Sequence, residues 1–338
     1  MSPSFFHHLH PPTIPKPQAG LRHTLGAGGL AVFLSLTLLV TGLLEMFYYV
    51  PTPGEAAESI QILTFLVPYG GLVRNLHYWA AQGLLFVSVA HLVRVLFTGG
   101  YAAPRRFNYL LGLGLLVLVV FLNFTGYVLR WDEGIRWALT AGTNLVKLIP
   151  GIGPGAYRFL MGGDAPGAAT LVRFYAWHIF GLTAPFLFLV GWHVFRVRRD
   201  GGIAAPPSKV RPNRARISRH ELVQVEVVMM LAATAVLIAI ALLFPAPIAP
   251  AMMETPPMMA DATAPWFFRW VQTLLKNGDA FFWGVLIPVG ILGLLAALPY
   301  LRPSLAPEEI GSWLPKSGRF VQGVTAVIIL TILVLTLL

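Results

Sequence analysis

The sequence lacks cysteine altogether and is poor in charged residues. Without a thiol, the chain cannot form a disulfide, a thiolate-ligated metal site, an iron–sulfur cluster or a thioether bond to a prosthetic group. Any redox cofactor must therefore bind to His, Met, Tyr or carboxylate side chains. Only 11% of the residues are charged, whereas a soluble domain has roughly 25%. With 56% hydrophobic residues and a mean hydropathy of +0.70, the composition predicts a membrane protein.

Seven stretches of about 20 residues contain no Asp, Glu, Lys or Arg, which is the length that an α-helix needs to cross a bilayer. They lie at roughly 25–44, 76–93, 107–129, 174–195, 227–244, 280–301 and 320–338. The predicted fold class is an all-α membrane protein, in which a four-helix bundle is followed by three further transmembrane helices. The Pro- and His-rich N-terminus runs into the first span without a small-residue cleavage site, so we predict no removable signal.

The net charge of +10 is distributed unevenly about these spans. With seven spans, the N-terminus and the even-numbered loops share one face, and that face holds most of the Lys and Arg residues. This positive-inside pattern predicts a multi-pass protein of the cell's inner (plasma) membrane, with a cytoplasmic N-terminus and an outer C-terminus. The basic excess reflects topology, and we expect no binding to nucleic acid.

The chain divides at a basic linker that follows the fourth span. We predict a cytoplasmic N-terminal segment at 1–24, a four-helix domain at 25–199, the linker at 200–220 and a three-helix domain at 221–338. The first domain contains every intramembrane His. The second has a long Pro- and Met-rich outer loop, and a loop of that length inside a compact protein is usually functional.

Four histidines form a regular pattern in the second and fourth spans. His77 and His91 are 14 residues apart, and His178 and His193 are 15 apart. At about 100° per residue, each pair returns to nearly the same helix face, with its imidazoles about 21 Å apart along the axis. Two such helices facing each other would form two bis-His sites, which is a ligand set for haem iron. Isolated core histidines would not require this matching, and ionisable groups within a span usually mark function.

Two glycine pairs repeat the same interval. Gly28 and Gly42 on the first span are 14 residues apart, as are Gly112 and Gly126 on the third. Gly in a helix interior costs about 1 kcal/mol, so the shared spacing indicates places where a wide group such as a porphyrin approaches the backbone. Close helix packing explains single glycines but does not predict this interval.

Two arginines lie one helical turn beyond the histidine levels. Arg74 is three residues before His77, and Arg94 is three after His91. Two interpretations are open: the guanidinium groups pair with haem propionates, or they are helix-end side chains that extend to the membrane surface.

Four stretches of the first domain resemble cytochrome b of the quinol-oxidising bc and bf complexes, and especially the split cytochrome b of chloroplasts. They are Thr41–Thr52 (TGLLEMFYYVPT), Arg74–Gly100 (RNLHYWA to HLVRVLFTGG), Gly126–Ala138 (GYVLRWDEGIRWA) and Arg173–Pro185 (RFYAWHIFGLTAP). The last three spans resemble, more weakly, the smaller partner subunit of the chloroplast type fused to the first domain.

The resemblance implies two non-covalent b-type haems, one near the outer face held by His77 and His178 and one near the cytoplasmic face held by His91 and His193. It also implies that quinol is oxidised at the outer face. One electron would pass to a Rieske iron–sulfur protein and then to a cytochrome c or similar acceptor, and the other through both haems to a quinone site at the inner face. Family members are dimers, so a homodimer in the lipid bilayer is expected.

The loop of the outer quinol site departs from the family. The motif Pro-Glu-Trp-Tyr is replaced by the sequence Thr263 to Trp266, and the acidic residue usually assigned to quinol deprotonation is replaced by Ala264. We place the outer quinol site at Pro265, Trp266 and Phe267. The candidate proton acceptors are three outer-side carboxylates: Glu45, Asp132 and Glu133. Each could instead be an ordinary surface charge, with water or a partner-subunit His accepting the proton.

Two functions are compatible with these features. The chain is either the redox core of a quinol:cytochrome c (or plastocyanin-type) oxidoreductase, or a dihaem membrane anchor that links the quinone pool to a different catalytic subunit such as a dehydrogenase. The missing loop Glu favours the anchor, and the retained long outer loop favours the reductase. A transporter without haem would leave the four histidines unexplained.

The absence of a thiol predicts that no haem is attached covalently, even at Gly26, which aligns with the position where the chloroplast-type protein forms a thioether bond. A denaturing gel stained for haem peroxidase activity should show no signal from this chain. A haem-positive band at the mass of the chain would contradict the prediction.

Overall fold

The computed structural model describes residues 13–205, 216–252, 263–301 and 305–338. In this part of the chain the helices of at least nine residues are α1 (Ala27–Met46), α2 (Ala56–Phe65), α3 (Gly70–Phe97), α4 (Arg106–Val128), α5 (Arg136–Lys147), α6 (Gly153–Met161), α7 (Ala168–Arg199), α8 (Arg219–Leu243), α9 (Trp266–Leu275), α10 (Phe282–Ala297) and α11 (Arg319–Leu337). The first half of the predicted N-terminal segment (residues 1–12), linker residues 206–215, loop residues 253–262 and residues 302–304 lie outside the described residues.

Six of the described helices are long and apolar enough to cross a membrane, namely α1, α3, α4, α7, α8 and α11. The predicted all-α membrane fold is confirmed. The predicted span at 280–301 corresponds to α10, which is apolar but shorter than 18 residues. Helices α3 and α7 begin several residues before the predicted spans because Arg74 and Arg173 interrupt the uncharged windows without interrupting the helices.

The first domain is built on helix pairs. Helix α1 packs along α3, and α4 packs against both α3 and α7. The two histidine-bearing helices, α3 and α7, are thereby each supported by a helix that carries a glycine pair. A buried apolar cluster at mid-height joins α1, α3, α4, α7 and α8; its members are Leu34, Ala80, Leu84, Leu85, Val119, Phe186 and Leu237.

Helix α7 contains a π turn at Trp177–Gly181. Leu182 N donates to the carbonyl of Trp177 at 2.7 Å, five residues back, and so does not bond to the carbonyl of His178. The hydroxyl of Thr183 donates to that carbonyl instead. A π turn contains one residue more than an α turn. The side chains of His178 and His193, 15 residues apart, therefore have nearly the same relative direction about the helix axis as those of His77 and His91, which are 14 residues apart.

The second domain is attached to the first through α3. The side chain of Asn75 donates to Ala241 O at 2.8 Å and accepts from Ala246 N at 2.9 Å, and Trp79 Nε1 donates to Phe244 O at 2.7 Å. The last carbonyl groups of a helix have no partner within it, and these side chains satisfy them at the end of α8. At the other end of α8, strand β1 (Thr13–Pro15) pairs with β2 (Arg216–Ser218), and Ser218 and Glu221 form a capping box.

Candidate functional site

The four predicted histidines face each other in two pairs across the bundle. His77 of α3 and His178 of α7 have ring centroids 6.4 Å apart with an interplanar angle of 62°. His91 of α3 and His193 of α7 are also 6.4 Å apart, at 81°. We name these the outer pair and the inner pair, following the predicted topology.

The spacing within each pair suits a single metal ion held between the two rings. An imidazole nitrogen binds a metal such as zinc at about 2.0–2.1 Å, so two rings bound to opposite sides of one ion have centroids roughly 6 Å apart. Among the described residues, no group of three or more His, Asp or Glu could hold a bare metal ion. Two axial imidazoles suffice for an iron whose other ligands come from a porphyrin, and the site therefore fits haem.

Each histidine ring lies against a glycine of the neighbouring helix. A Cβ atom added at Gly126 would lie 2.8 Å from His178 Cε1, and one at Gly42 would lie 3.0 Å from His77 Cε1. At the inner pair the corresponding distances are 3.2 Å from Gly112 to His193 and 3.7 Å from Gly28 to His91. The glycines predicted from their interval thus make room for the imidazoles, most tightly at the outer pair.

Two threonines fix the orientation of the outer rings. Thr41 Oγ1 lies 2.9 Å from His77 Nδ1, and Thr125 Oγ1 lies 3.0 Å from His178 Nδ1. Sequence reasoning missed both residues, although a signal was present: each threonine directly precedes the glycine that supports the same ring, as a Thr-Gly dipeptide.

The two predicted arginines are buried one helical turn beyond the histidine levels. Arg74 is 8% exposed and donates to the carbonyl oxygens of Ala246 and Pro247. Arg94 is 5% exposed, donates to Ala204 O at 3.0 Å and lies 2.9 Å from His23 Nε2. Burial lowers the pKa of His23, which keeps this imidazole neutral beside Arg94 at neutral pH.

The outer carboxylates occupy different environments. Glu45 lies near Arg74 at the end of α1, and its buried Oε1 has no hydrogen-bond partner within the described part of the chain. Asp132 is 3% exposed; its Oδ2 accepts from Arg130 at 2.6 Å and from Ala249 N at 3.2 Å. Its buried Oδ1 has no hydrogen-bond partner in the same described ranges. Both oxygens of Glu133 accept hydrogen bonds from Arg136, each at 2.8 Å.

The aromatic residues of the outer loop begin α9 and contact α3 and α4. Trp266 Nε1 donates to Gln82 Oε1 at 2.7 Å, and Gln82 Nε2 donates to Asn123 Oδ1 at 3.3 Å. The rings of Phe268 and Phe124 meet edge to face, with centroids 5.6 Å apart. One turn of α4, residues 123–126, therefore contacts both the loop and the outer pair. Sequence reasoning missed Gln82 and Asn123, because single carboxamides carry no spacing signal.

Comparisons with known proteins identify the family to which the chain is similar. The sequence profile of the family described as "Cytochrome b(N-terminal)/b6/petB" matches residues 82–256. The menaquinol:cytochrome c reductase cytochrome b subunit of Geobacillus thermodenitrificans is 37% identical over 176 residues, which are 52% of this chain and 78% of the relative. Cytochrome b6 of Cyanidium caldarium is 37% identical over 174 residues, 52% of this chain and 81% of the relative.

A solved structure resembles nearly the whole chain. It is described as a hyperthermophilic respiratory Complex III, and it matches with a TM-score of 0.77 over 98% of this chain and 94% of its own. The sequence identity is 20%, so this likeness shows the fold alone. This structural likeness includes the predicted second domain as well as the first.

Fold and site together define an α-helical membrane protein with two bis-histidine sites stacked within one bundle. The family match covers 175 of the 338 residues (82 through 256), and the relatives are matched over most of their own length. The chain belongs to the cytochrome b family that includes cytochrome b6, and the family implies b-type haem.

The glycine contacts predict opposite effects of one substitution at two positions. Gly126→Ala should destabilise the protein by about 1–3 kcal/mol, because its Cβ would force His178 to move. Gly28→Ala should be neutral or stabilising by up to about 1 kcal/mol, since its Cβ would meet His91 at an ordinary contact distance and Ala is the better helix former. Thermal unfolding of the purified variants measures both effects, and equal tolerance at the two positions would contradict the assignment.

Proposed function

We propose that this chain is the dihaem cytochrome b subunit of a quinol:cytochrome c type oxidoreductase. It would oxidise quinol at the outer face and pass electrons through two haems to a quinone site at the inner face. The outer pair would hold one haem iron and the inner pair the other. When bound, each haem supplies a one-electron carrier, and the two lie at different depths of the bilayer.

The proposal rests on one observation: the outer pair and the inner pair have the same arrangement. At each level two imidazoles face each other at 6.4 Å, and each lies against a glycine of a neighbouring helix. Chance placement of buried histidines gives no reason for this repetition, and burying four ionisable side chains in a span is costly. A ligand that occupies both levels accounts for it.

The arginines are suited to binding haem propionates. Both guanidinium groups are held one helical turn beyond the histidine levels by backbone carbonyls, which leaves donor capacity on each. Arg94 Nε is buried and has no hydrogen-bond partner in the described ranges. A carboxylate placed there would form a charge-assisted hydrogen bond, which is stronger than a neutral one.

The outer quinol site would lie beside Pro265, Trp266 and Phe267. Quinol releases protons as it is oxidised, and a carboxylate within hydrogen-bond reach, directly or through one water, can accept them. Glu45 and Asp132 each retain a buried oxygen without a hydrogen-bond partner among the described residues, whereas both oxygens of Glu133 are bonded to Arg136. We therefore favour Glu45 or Asp132 as the acceptor in place of the missing loop Glu.

The partners follow from the same assignment. A Rieske iron–sulfur protein and a cytochrome c or similar acceptor would receive electrons at the outer face, and the chain would work as a homodimer in the plasma membrane with a cytoplasmic N-terminus. The second candidate function is the dihaem anchor of a different dehydrogenase or reductase, which Ala264 favours because the loop acid is absent. Co-purification of a Rieske protein supports the reductase; co-purification of a molybdenum or flavin subunit without a Rieske protein supports the anchor.

Haem binding is tested by spectroscopy of the purified protein. The dithionite-reduced spectrum should show low-spin b-type bands, and a pyridine haemochrome assay should give about two haems per chain. His91→Ala should remove the inner haem and retain the outer one, because only the inner pair loses a ligand. Absence of haem from the parent protein, or retention of both haems in His91→Ala, would sink the assignment.

The proton acceptor is tested by turnover with quinol and an outer electron acceptor. The variant that removes the true base, Glu45→Gln or Asp132→Asn, should lose at least about tenfold in rate, or roughly 1.4 kcal/mol of barrier, with both haems retained. Glu58→Gln, which removes an exposed carboxylate of α2, serves as the control. If Glu45→Gln, Asp132→Asn and Glu133→Gln all turned over like the parent between pH 6 and 8, we would assign the role to water or to the Rieske partner.

A further inference from the structure

The two histidine pairs differ in what contacts their Nδ1 atoms. In the outer pair each Nδ1 lies at hydrogen-bond distance from a threonine hydroxyl, Thr41 for His77 and Thr125 for His178. In the inner pair the Nδ1 atoms of His91 and His193 are buried and have no hydrogen-bond partner within the described chain. The backbone of Asn108 lies near His193 but outside hydrogen-bonding geometry.

The direction of the two outer hydrogen bonds depends on the other bonds of the threonines and on which imidazole nitrogen carries the proton. Thr41 Oγ1 lies 2.8 Å from the carbonyl of Thr37, and Thr125 Oγ1 lies 2.9 Å from the carbonyl of Phe121. A carbonyl oxygen can only accept, so a hydroxyl that donates its one hydrogen to its own helix has only lone pairs left for the imidazole. An imidazole whose Nε2 binds a metal ion carries its proton on Nδ1, so in the proposed haem site each Nδ1 donates and each Oγ1 accepts.

This tautomer leaves Nε2 of His77 and of His178 with a free lone pair. A hydrogen bond from the far nitrogen of a metal-bound imidazole fixes the ring orientation and raises the basicity of the ligand. A more basic ligand stabilises the ferric iron more than the ferrous iron and so lowers the reduction potential. The inner pair lacks this contribution from a hydroxyl, because its Nδ1 atoms have no hydrogen-bond partner among the described residues.

We propose that Thr41 and Thr125 are positioning residues of the outer haem site, which hold His77 and His178 in the Nδ1-protonated form and lower the potential of the outer haem. The inference rests on the proposed binding of haem by the outer pair. The inference attributes the lower potential to two hydroxyl groups, one on α1 and one on α4. Each belongs to a threonine that directly precedes the glycine supporting the same ring.

The test is an optical redox titration of the purified protein and its variants. Thr41→Val and Thr125→Val remove the hydroxyl at nearly constant volume. At a fixed ambient potential near the midpoint, each should raise the ferrous-to-ferric ratio of the outer haem about tenfold, which is a shift of about 59 mV for a one-electron couple. The reduction potential of the inner haem is the internal reference and should not change. The outer haem is identified as the one that His91→Ala retains.

Two further variants separate the hydrogen bond from packing. Thr37→Val makes the same change on the same helix, at a hydroxyl that donates to Phe33 O at 3.1 Å, and should leave both potentials unchanged. Thr41→Ser keeps the hydroxyl and should behave like the parent. Loss of the outer haem in Thr41→Val but not in Thr41→Ser also supports the role of the hydroxyl.

Three results would overturn the inference. First, the outer haem could keep the parent's reduction potential in both Thr41→Val and Thr125→Val. Second, its potential could rise as much in Thr37→Val as in those two variants. Third, the outer haem could be lost equally in Thr41→Ser and Thr41→Val. In each case the proposed function would stand, because haem would still be bound in the parent protein. Absence of haem from the parent would instead remove both the inference and the proposed function.

Discussion

The close approach of two imidazoles across the centre of a helix bundle is the constraint on which the rest of the first domain depends. Each ring needs space beside a neighbouring backbone, and only a residue without Cβ provides it at Gly42 and Gly126, where a methyl group would lie 3.0 Å or less from the ring. The need for that space pairs α1 with α3 and α4 with α7. At the inner pair Gly112 and Gly28 also face the histidine rings, but an added Cβ would lie farther away, at 3.2 and 3.7 Å, so the requirement is strictest at the outer pair.

The π turn of α7 reconciles the two histidine intervals. In uninterrupted α-helices, intervals of 14 and 15 residues would differ by about 100° in direction, and the two pairs could not both face each other well. The turn at Trp177–Gly181 takes in the additional residue, and the hydroxyl of Thr183 satisfies the carbonyl that it leaves without an α-helical partner. An irregularity within a span is tolerated where a side chain supplies the missing hydrogen bond.

A series of side-chain hydrogen bonds connects the elements at the outer end of the bundle. One turn of α4 carries Asn123, which bonds to the side chain that holds Trp266, and Thr125, which bonds to His178. Asn75 and Arg74 of α3 hold the backbone that leads from α8 into the outer loop. The loop proposed to bind quinol is thus fixed to α3, which carries His77, and to α4, which contacts His178, so its position relative to the proposed outer haem does not depend on the loop alone.

The sequence by itself determined the class of fold and the four histidines, because hydrophobic length and helical periodicity are local properties that can be read along one chain. It also indicated the supporting glycines, since their interval matches that of the histidines. The family resemblance also implied that His77 pairs with His178. Only the tertiary structure decided that Thr41 and Thr125 contact the outer rings, and that Glu45 and Asp132 retain unpartnered buried oxygens in the described chain. These are relations between helices far apart in sequence, and they depend on the register and rotation with which the helices pack. No periodicity within a single helix specifies that register.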